Sequence, residues 1–300
     1  MWKKTFWQPS PHGLAVLQAL FVTFLWSTSW VLIKIGLGEI PPITFAGLRY
    51  GLAAIILLPL FLRTKGLNDL RSLPGGIWAQ LIGLGIVHYA LTQGAQFMSL
   101  SYLPALTVNL LWGFSPILVA IFGIKLLAEQ PSGWQWTGVA ISIMGIAVYF
   151  YPVNFITGQS IGFIAAVIGI LANVLSTIVG RSINRNKQLS PLTITTVSMG
   201  IGAILLLSTG LTIQGMPTLD WQSWAIIVWL SVINTAFAFT LWNYTLQRLS
   251  AIESSIINNA MGIQIPILAI LFLGERLTMR QFVGLIVMIL GVLLVQFRRR

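Results

Sequence analysis

The sequence contains no cysteine, only two histidines and only six acidic residues among 300. Without cysteine there is no disulfide, no thiolate-ligated metal and no thiol nucleophile. With His12 and His88 as the whole histidine complement, the His-Glu-x-x-His metal motif is absent, and so are Gly-x-Ser-x-Gly and the phosphate-cradling Gly-x-x-x-x-Gly-Lys. The six acids, Glu39, Asp69, Glu129, Asp220, Glu253 and Glu275, all fall between or at the ends of apolar runs. No carboxylate pair therefore exists for acid–base work inside them. The expectation is a protein that is not an enzyme and carries no cofactor and no metal. Charge as a whole is scarce, at 8% of residues, where a soluble chain carries roughly a quarter.

What is present is hydrophobic: 56% of residues and a mean hydropathy of +0.87. A crossing of the bilayer core takes about 20 apolar residues, so ten crossings with short connections consume the length and leave no room for a soluble domain. Breaking the chain at proline, glycine and charge clusters gives ten such stretches. They run Leu14 to Leu37, Pro42 to Leu62, Gly76 to Met98, Leu103 to Leu127, Trp134 to Tyr151, Gln159 to Gly180, Pro191 to Gln214, Trp221 to Leu246, Ala251 to Leu273 and Arg280 to Phe297. The first is too long for a signal-peptide core and reads as an uncleaved span.

The distribution of basic residues tests that count, because cytoplasmic connections retain Lys and Arg. One side takes Lys3, Lys4, Arg63, Lys65, Arg71, Lys125, Arg181, Arg185, Lys187, Arg248 and Arg298 to Arg300, whereas the other takes only Arg276 and Arg280. Lys34 and Arg49 lie inside spans. Both termini are expected in the cytoplasm of a bacterial-type inner membrane. The net charge of +11 is then explained by orientation and by anionic lipid headgroups, with no nucleic-acid partner.

The chain is an internal duplicate. A shift of 146 residues superposes Leu127 on Leu273, Glu129 on Glu275, Gln135 on Gln281, Gly138 on Gly284, Ile143 on Ile289 and Gly145 on Gly291. A shift of 149 carries Pro42-Ile43-Thr44 onto Pro191-Leu192-Thr193. Each half, 14–151 and 159–297, holds five spans; five is odd, so the second half lies inverted relative to the first. Inverted repeats recur in secondary transporters, with the substrate between the halves near the midplane. Ser132-Gly133-Trp134-Gln135 and Thr278-Met279-Arg280-Gln281 each read as a capping box opening spans five and ten. Glu129 and Glu275 just ahead of them would favour those helix ends or pair with Lys125 and Arg276.

At these residues the chain resembles the EamA family of the drug/metabolite transporter superfamily. The matching features are Trp26-Ser27-Thr28-Ser29-Trp30 with Lys34, the run Pro42-Ile43-Thr44-Phe45-Ala46-Gly47-Leu48-Arg49, and the paired Leu-x-Glu entries to spans five and ten. The resemblance covers both repeats in order. It implies a ten-helix fold with cytoplasmic termini and transport of small organic molecules, often export of amino acids or related metabolites. One departure stands out. Pro116 follows the family pattern, but its shift partner is Gly262, with Pro266 one turn later, which displaces any kink in span nine.

Polar side chains are costly in lipid, so those that line a pathway gather on single helical faces. Span one aligns Thr23, Trp26, Ser27, Trp30 and Lys34; span three aligns Gly85, His88, Thr92, Gln96 and Ser99, with Tyr89 and Gln93 beside them. Span four offers Asn109, Trp112 and Gly113; span six Asn173, Ser176 and Thr177; span eight Ser231 and Asn234; span nine Ser255, Asn258, Asn259 and Gly262. Spans five and ten, with glycines seven apart, suit close helix packing instead. Under the repeat shift one wall is aromatic and basic, and its counterpart is amide and hydroxyl. Such a cavity suits a molecule with an apolar or aromatic part and a polar or anionic head. The competing reading is that these groups merely bond helix to helix.

Three residues carry the sharper expectations. Lys34 and Arg49 share a level near the outer end of their spans, where they would attract an anionic group or close the mouth through Glu39; snorkelling is the plainer alternative. His88, the one intramembrane group titrating near neutrality, would couple transport to protons or serve as a neutral packing partner. A cation or multidrug efflux carrier of the same fold and a channel are the rival functions, although no charged ring or carbonyl filter is visible. The residues do not choose between a monomer and a homodimer.

Overall fold

Apolar runs too long for a globular core, bounded by Pro-led starts, fold as helices that satisfy their own backbone groups, the requirement hydrocarbon imposes. The computed structural model describes residues 11–64, 70, 73–115, 117–118, 133–151, 158–185, 189–246, 248–249 and 257–296. Among them every extended element is helical. The ten are α1 (Pro11–Gly36), α2 (Pro42–Arg63), α3 (Gly75–Leu84, Gly85–Gln93 and Gly94–Tyr102 in sequence), α4 (Ala105–Trp112), α5 (Gly133–Phe150), α6 (Gln159–Arg185), α7 (Pro191–Ile213), α8 (Trp221–Ser231, Val232–Phe237 and Ala238–Leu246), α9 (Met261–Leu273) and α10 (Met279–Gln296). Helices α1, α2, α6, α7 and α8 each contain an apolar stretch at least 18 residues long, enough to cross a bilayer. The protein is an all-helical integral membrane protein of ten helices in two duplicated, inverted halves. Expected features at Lys125, Leu127, Glu129, Ser132, Pro116, Asp69, Glu253 and Ser255, and basic residues at both termini, lie outside the described residues.

Local sequence sets the helix ends. Ser190 caps α7, its hydroxyl accepting from Thr193 N–H at 3.1 Å, with Pro191 in the first turn. Asp220 caps α8 by accepting from Ser223 N–H at 2.7 Å, and this bond holds its carboxyl below the usual range. At α10 the expected capping box forms: Thr278 N–H donates to Gln281 Oε1 at 2.9 Å, and Gln281 N–H donates to Thr278 Oγ1 at 3.3 Å. Gly274, at φ 64°, ends α9 in the left-handed conformation that glycine tolerates best, and Glu275 N–H reaches back to Ala269 O at 3.3 Å.

The helices of different halves meet through small residues. A β-carbon on Gly284 would lie 2.6 Å from Tyr149 N and 2.7 Å from Gly145 O, and one on Gly291 would lie 2.7 Å from Gly138 O. Helices α5 and α10 therefore touch backbone to backbone. Under the shift of 146 the Gly145–Gly284 contact becomes Gly291–Gly138, and both are present, so the pseudo-twofold axis of the duplication passes between these two helices. Helices α2 and α7 cross in the same manner, with Gly47 against Leu206–Leu207 and Gly210 against Thr44. Such contacts follow the membrane rule that association depends on close packing rather than on expulsion of water. The main core joins Phe45, Tyr50, Phe97, Leu100, Met199 and Leu230 from both halves.

Two helices are not regular throughout. Gly85–Gln93 in α3 and Val232–Phe237 in α8 are π-helical. Moving the second segment back by 146 places it on Ile86–Leu91, inside the first, so both repeats carry the irregularity at the same place. A hydroxyl takes up a freed carbonyl in each: Thr92 Oγ1 donates to Val87 O and Thr235 Oγ1 to Leu230 O, both at 2.8 Å.

The packing makes a direct prediction. Gly284→Val forces α5 and α10 apart and costs about 1–3 kcal/mol. The melting temperature in detergent should fall by several degrees, while Gly76→Val, at a glycine with open space around it, should leave it unchanged.

Candidate functional site

Among the described residues, members of the polar stripes and side chains beside them bond mostly from one repeat to the other. From α1, Ser27 Oγ donates to Gln264 Oε1 of α9 at 2.9 Å, and Thr28 Oγ1 accepts from Asn234 Nδ2 of α8 at 3.0 Å; the same amide also donates to Leu25 O. From α2, Arg49 Nε donates to Thr235 Oγ1 of α8 at 3.1 Å, and its carbonyl accepts from Ser231 Oγ at 2.9 Å. Between α3 and α6, His88 Nδ1 lies 3.1 Å from Ser176 Oγ. Between α4 and α9, Asn109 Nδ2 donates to Gly262 O at 3.4 Å. Each bond answers the high cost of an unpaired polar group in a medium without water.

Aromatic rings fill the space beside these groups. Trp30 of α1 stands edge-on to Trp112 of α4 at 6.2 Å, and Trp26 lies 5.3 Å from Phe239 and 5.2 Å from Trp242. Tyr50, whose hydroxyl donates to Gln93 Oε1 at 2.7 Å, meets Tyr89 at 5.7 Å, and Tyr89 meets His88 at 4.8 Å. Arg49, Tyr50, Tyr89, His88 and Ser176 thus form a continuous track through α2, α3 and α6. His88, Tyr89, Asn234 and Thr235 all sit on the two π segments, where backbone irregularity often marks a working site.

Several predicted residues stand apart. Asn258 is exposed. Thr92 and Gln96 are buried in α3, Thr92 bonding only its own helix. Asn173 is half-buried and engages Ser176 and Thr177 through its carbonyl. Among the described residues Trp26 Nε1 of α1, Trp112 Nε1 of α4, Asn234 Oδ1 of α8 and Asn259 Nδ2 just ahead of α9 are buried without a hydrogen-bond partner, as are atoms of Gln18, Gln80, Ser115 and Thr196 elsewhere. Gln264, Thr235, Ser29 and Tyr50 belong to the network although the polar stripes do not single them out. Gln264 is legible as the one amide inside the apolar run Met261–Leu273, whereas Thr235 and Ser29 look like ordinary helix hydroxyls until Arg49 is placed.

Lys34 and Glu275 hold opposite ends of a single turn. Lys34 Nζ donates to Leu100 O at 2.5 Å and Leu103 O at 2.8 Å, capping the carbonyl end of α3. Glu275, from the other repeat, accepts from Ala105 N–H at 2.6 Å and Leu106 N–H at 2.9 Å, capping the amino end of α4. Its cap is therefore on α4 rather than on α10, because the left-handed turn at Gly274 redirects the chain. Glu39 accepts from Ser223 Oγ at 3.2 Å rather than meeting Lys34, and Gln214 Oε1 accepts from Ile43 and Thr44 N–H at 2.9 and 3.2 Å. On this face the connections of the two halves interlock.

The arrangement defines a class: an inverted-repeat membrane protein with a polar, aromatic-walled seam between its halves and no catalytic constellation among the described residues. The chain belongs to the EamA-like transporter family, which matches residues 13–151 and 160–297; it is a membrane transporter, not an enzyme, and its partner is a small-molecule substrate. It is 26% identical to the uncharacterized transporter YoaV of Bacillus subtilis (strain 168), over 94% of this chain and 96% of that protein. It is also 26% identical to the uncharacterized inner membrane transporter YedA of Escherichia coli (strain K12), over 94% and 90%. A 23% identical relative from Escherichia coli (strain K12), matched over 91% of each chain, is named a probable amino-acid metabolite efflux pump. A solved crystal structure shares the fold at TM-score 0.64 and 18% identity, covering 94% of this chain and 96% of that one.

Because Lys34 and Glu275 support the same turn, their losses should not add. Lys34→Met and Glu275→Gln are each expected to cost about 1–3 kcal/mol. The double variant should cost clearly less than the sum in a double-mutant cycle of detergent melts; full additivity would show that the two caps are independent.

Proposed function

We propose that this protein carries small amphipathic organic metabolites, amino acids or related compounds, outward across a bacterial inner membrane by alternating access between repeats 14–151 and 159–297. The observation that carries the reading is the polar seam. Its bonds join one half to the other, so separating the halves on one face exposes hydroxyl, amide and cationic groups to a solute and to water. The substrate surface draws on Trp26, Ser27, Trp30, Arg49, His88, Tyr89, Asn109, Trp112, Ser176, Asn234 and Asn259, with Lys34 at the interlocked end. The unpartnered indole and amide atoms of Trp26, Trp112, Asn234 and Asn259 are groups that a polar solute would satisfy.

Orientation follows the basic residues: termini in the cytoplasm beside anionic headgroups, and the interlocked face outside. The protein in hand is then closed to the exterior. The name of the Escherichia coli efflux relative supports an amino-acid-like cargo and an outward direction. The working unit is a monomer or a homodimer.

Reconstituted flux tests this. Proteoliposomes loaded with unlabelled phenylalanine should accumulate external labelled phenylalanine by saturable counterflow, and Trp30→Ala should reduce it at least tenfold. Ohmic conductance would make the protein a channel, and the absence of counterflow with any amino acid would remove the amino-acid reading. If His88 serves packing through Ser176, His88→Gln keeps the counterflow rate and its pH profile; a lost or shifted profile would assign it to proton coupling.

A further inference from the structure

Two cations lie inside the spans, and the structure treats them differently. Lys34 has its balance: two helix-end carbonyls accept from it, and the Glu275 carboxylate sits across the same turn. Arg49 has none. It is 4% exposed, and no carboxylate lies within ion-pairing distance of it among the described residues. Its Nε donates to Thr235, its Nη2 reaches Ser29 only at 3.5 Å, and its guanidinium stands 5.1 Å over the Tyr50 ring. A guanidinium carries five donors, so most of this one's capacity is unused. The sequence offers no further help, since all six acids lie at span ends or in connections.

A buried, unbalanced charge is among the most expensive features a membrane protein can keep. We propose, resting on the carrier reading above, that the missing negative charge is supplied by the substrate: the site takes solutes bearing a carboxylate or similar single anionic group, seated on Arg49, and rejects cations. A carboxylate meets a guanidinium through two parallel charge-assisted bonds, far stronger than the neutral hydroxyl contacts it would replace. Thr235 is the competitor. Its hydroxyl proton is committed to Leu230 O, leaving its oxygen to accept from Arg49. When the anion takes Arg49, the Arg49–Thr235 bond between α2 and α8 is released, so substrate binding loosens one tie between the two halves. Zwitterionic amino acids satisfy the rule through their carboxylate, with their ammonium against Gln93 or the aromatic faces.

The rival outcome is concrete, because Trp26, Trp30 and Trp112 are surfaces to which a cation would be attracted. Equilibrium dialysis of the full chain in detergent, with 3-phenylpropionate, 3-phenylpropionamide and 3-phenylpropylammonium, separates the cases at constant shape. The anion should bind at least tenfold tighter than the amide, and the cation weaker than the amide. Arg49→Gln should erase the preference for anion over amide. Thr235→Val, which removes the competing acceptor, should raise that preference about threefold, the reverse of what a purely structural Arg49–Thr235 tie would give. If Arg49→Gln does not fold, Thr235→Val decides. Equal or tighter cation binding, a preference surviving Arg49→Gln, a preference lowered by Thr235→Val, or no binding by any of the three overturns the inference. The carrier reading falls only if proteoliposome counterflow of amino acids is absent as well.

Discussion

Hydrocarbon offers no hydrogen bonds, and that single constraint organises this molecule. Among the described residues most backbone amides are paired within helices, the buried hydroxyls bond their own helix or a neighbour, and a distinct set of polar side chains reaches from one half to the other. The seam at the centre is the consequence. Ser27 with Gln264, Asn234 with Thr28, Arg49 with Thr235 and His88 with Ser176 are bonds between repeats, so on the proposed alternating access the contacts that stabilise this arrangement of the halves are those to be exchanged. Individually such bonds are worth only about 0.6–2 kcal/mol in membranes. A handful of them can be traded for bonds to water or solute without a large barrier.

Rigid and exchangeable contacts are largely segregated, with one overlap: Gly85 and Gly202 hold the π segment of α3 against the backbone of α7. Where α5 meets α10 and α2 meets α7, glycine brings backbone against backbone, geometry that tolerates little sliding. Where α1, α3, α4, α6, α8 and α9 converge, contacts are made by side chains, and α3 and α8 carry π segments whose loosened backbone is supported by Thr92 and Thr235. The duplication places one such segment in each half. A pair of related weak points on either side of a packed axis is what two inverted halves need in order to tilt against each other.

Much of this is legible in the sequence. Ten apolar runs, the duplication, the glycines of α5 and α10 and the capping box at Thr278 depend on residue type at local spacing, and the structure has them. The 146-residue shift relates His88 to Asn234 and Trp30 to Ser176, so the contact of His88 with Ser176 depends on how the fold packs α3 on α6. The features that escape a reading of the sequence depend on tertiary placement. The Lys34 partners are backbone carbonyls 66 and 69 residues away, which no side-chain pattern reveals. Glu275 is expected beside α10, but one left-handed glycine turns it onto α4. The π segments leave no mark in the apolar pattern; by inserting residues into a turn they rotate the remainder of the helix, so that Tyr89 is buried while His88, predicted on the inner stripe, is half-buried.

Transport by alternating access requires the halves to part at the interlocked face. The absence of cysteine makes a clean test available. Cysteines placed at Glu39 and Ser223, whose side chains meet at 3.2 Å, and joined by a short thiol-reactive cross-linker should abolish counterflow in proteoliposomes. A reducible linker should restore it on cleavage. Undiminished counterflow with the two positions fully cross-linked would mean that this face does not open during transport.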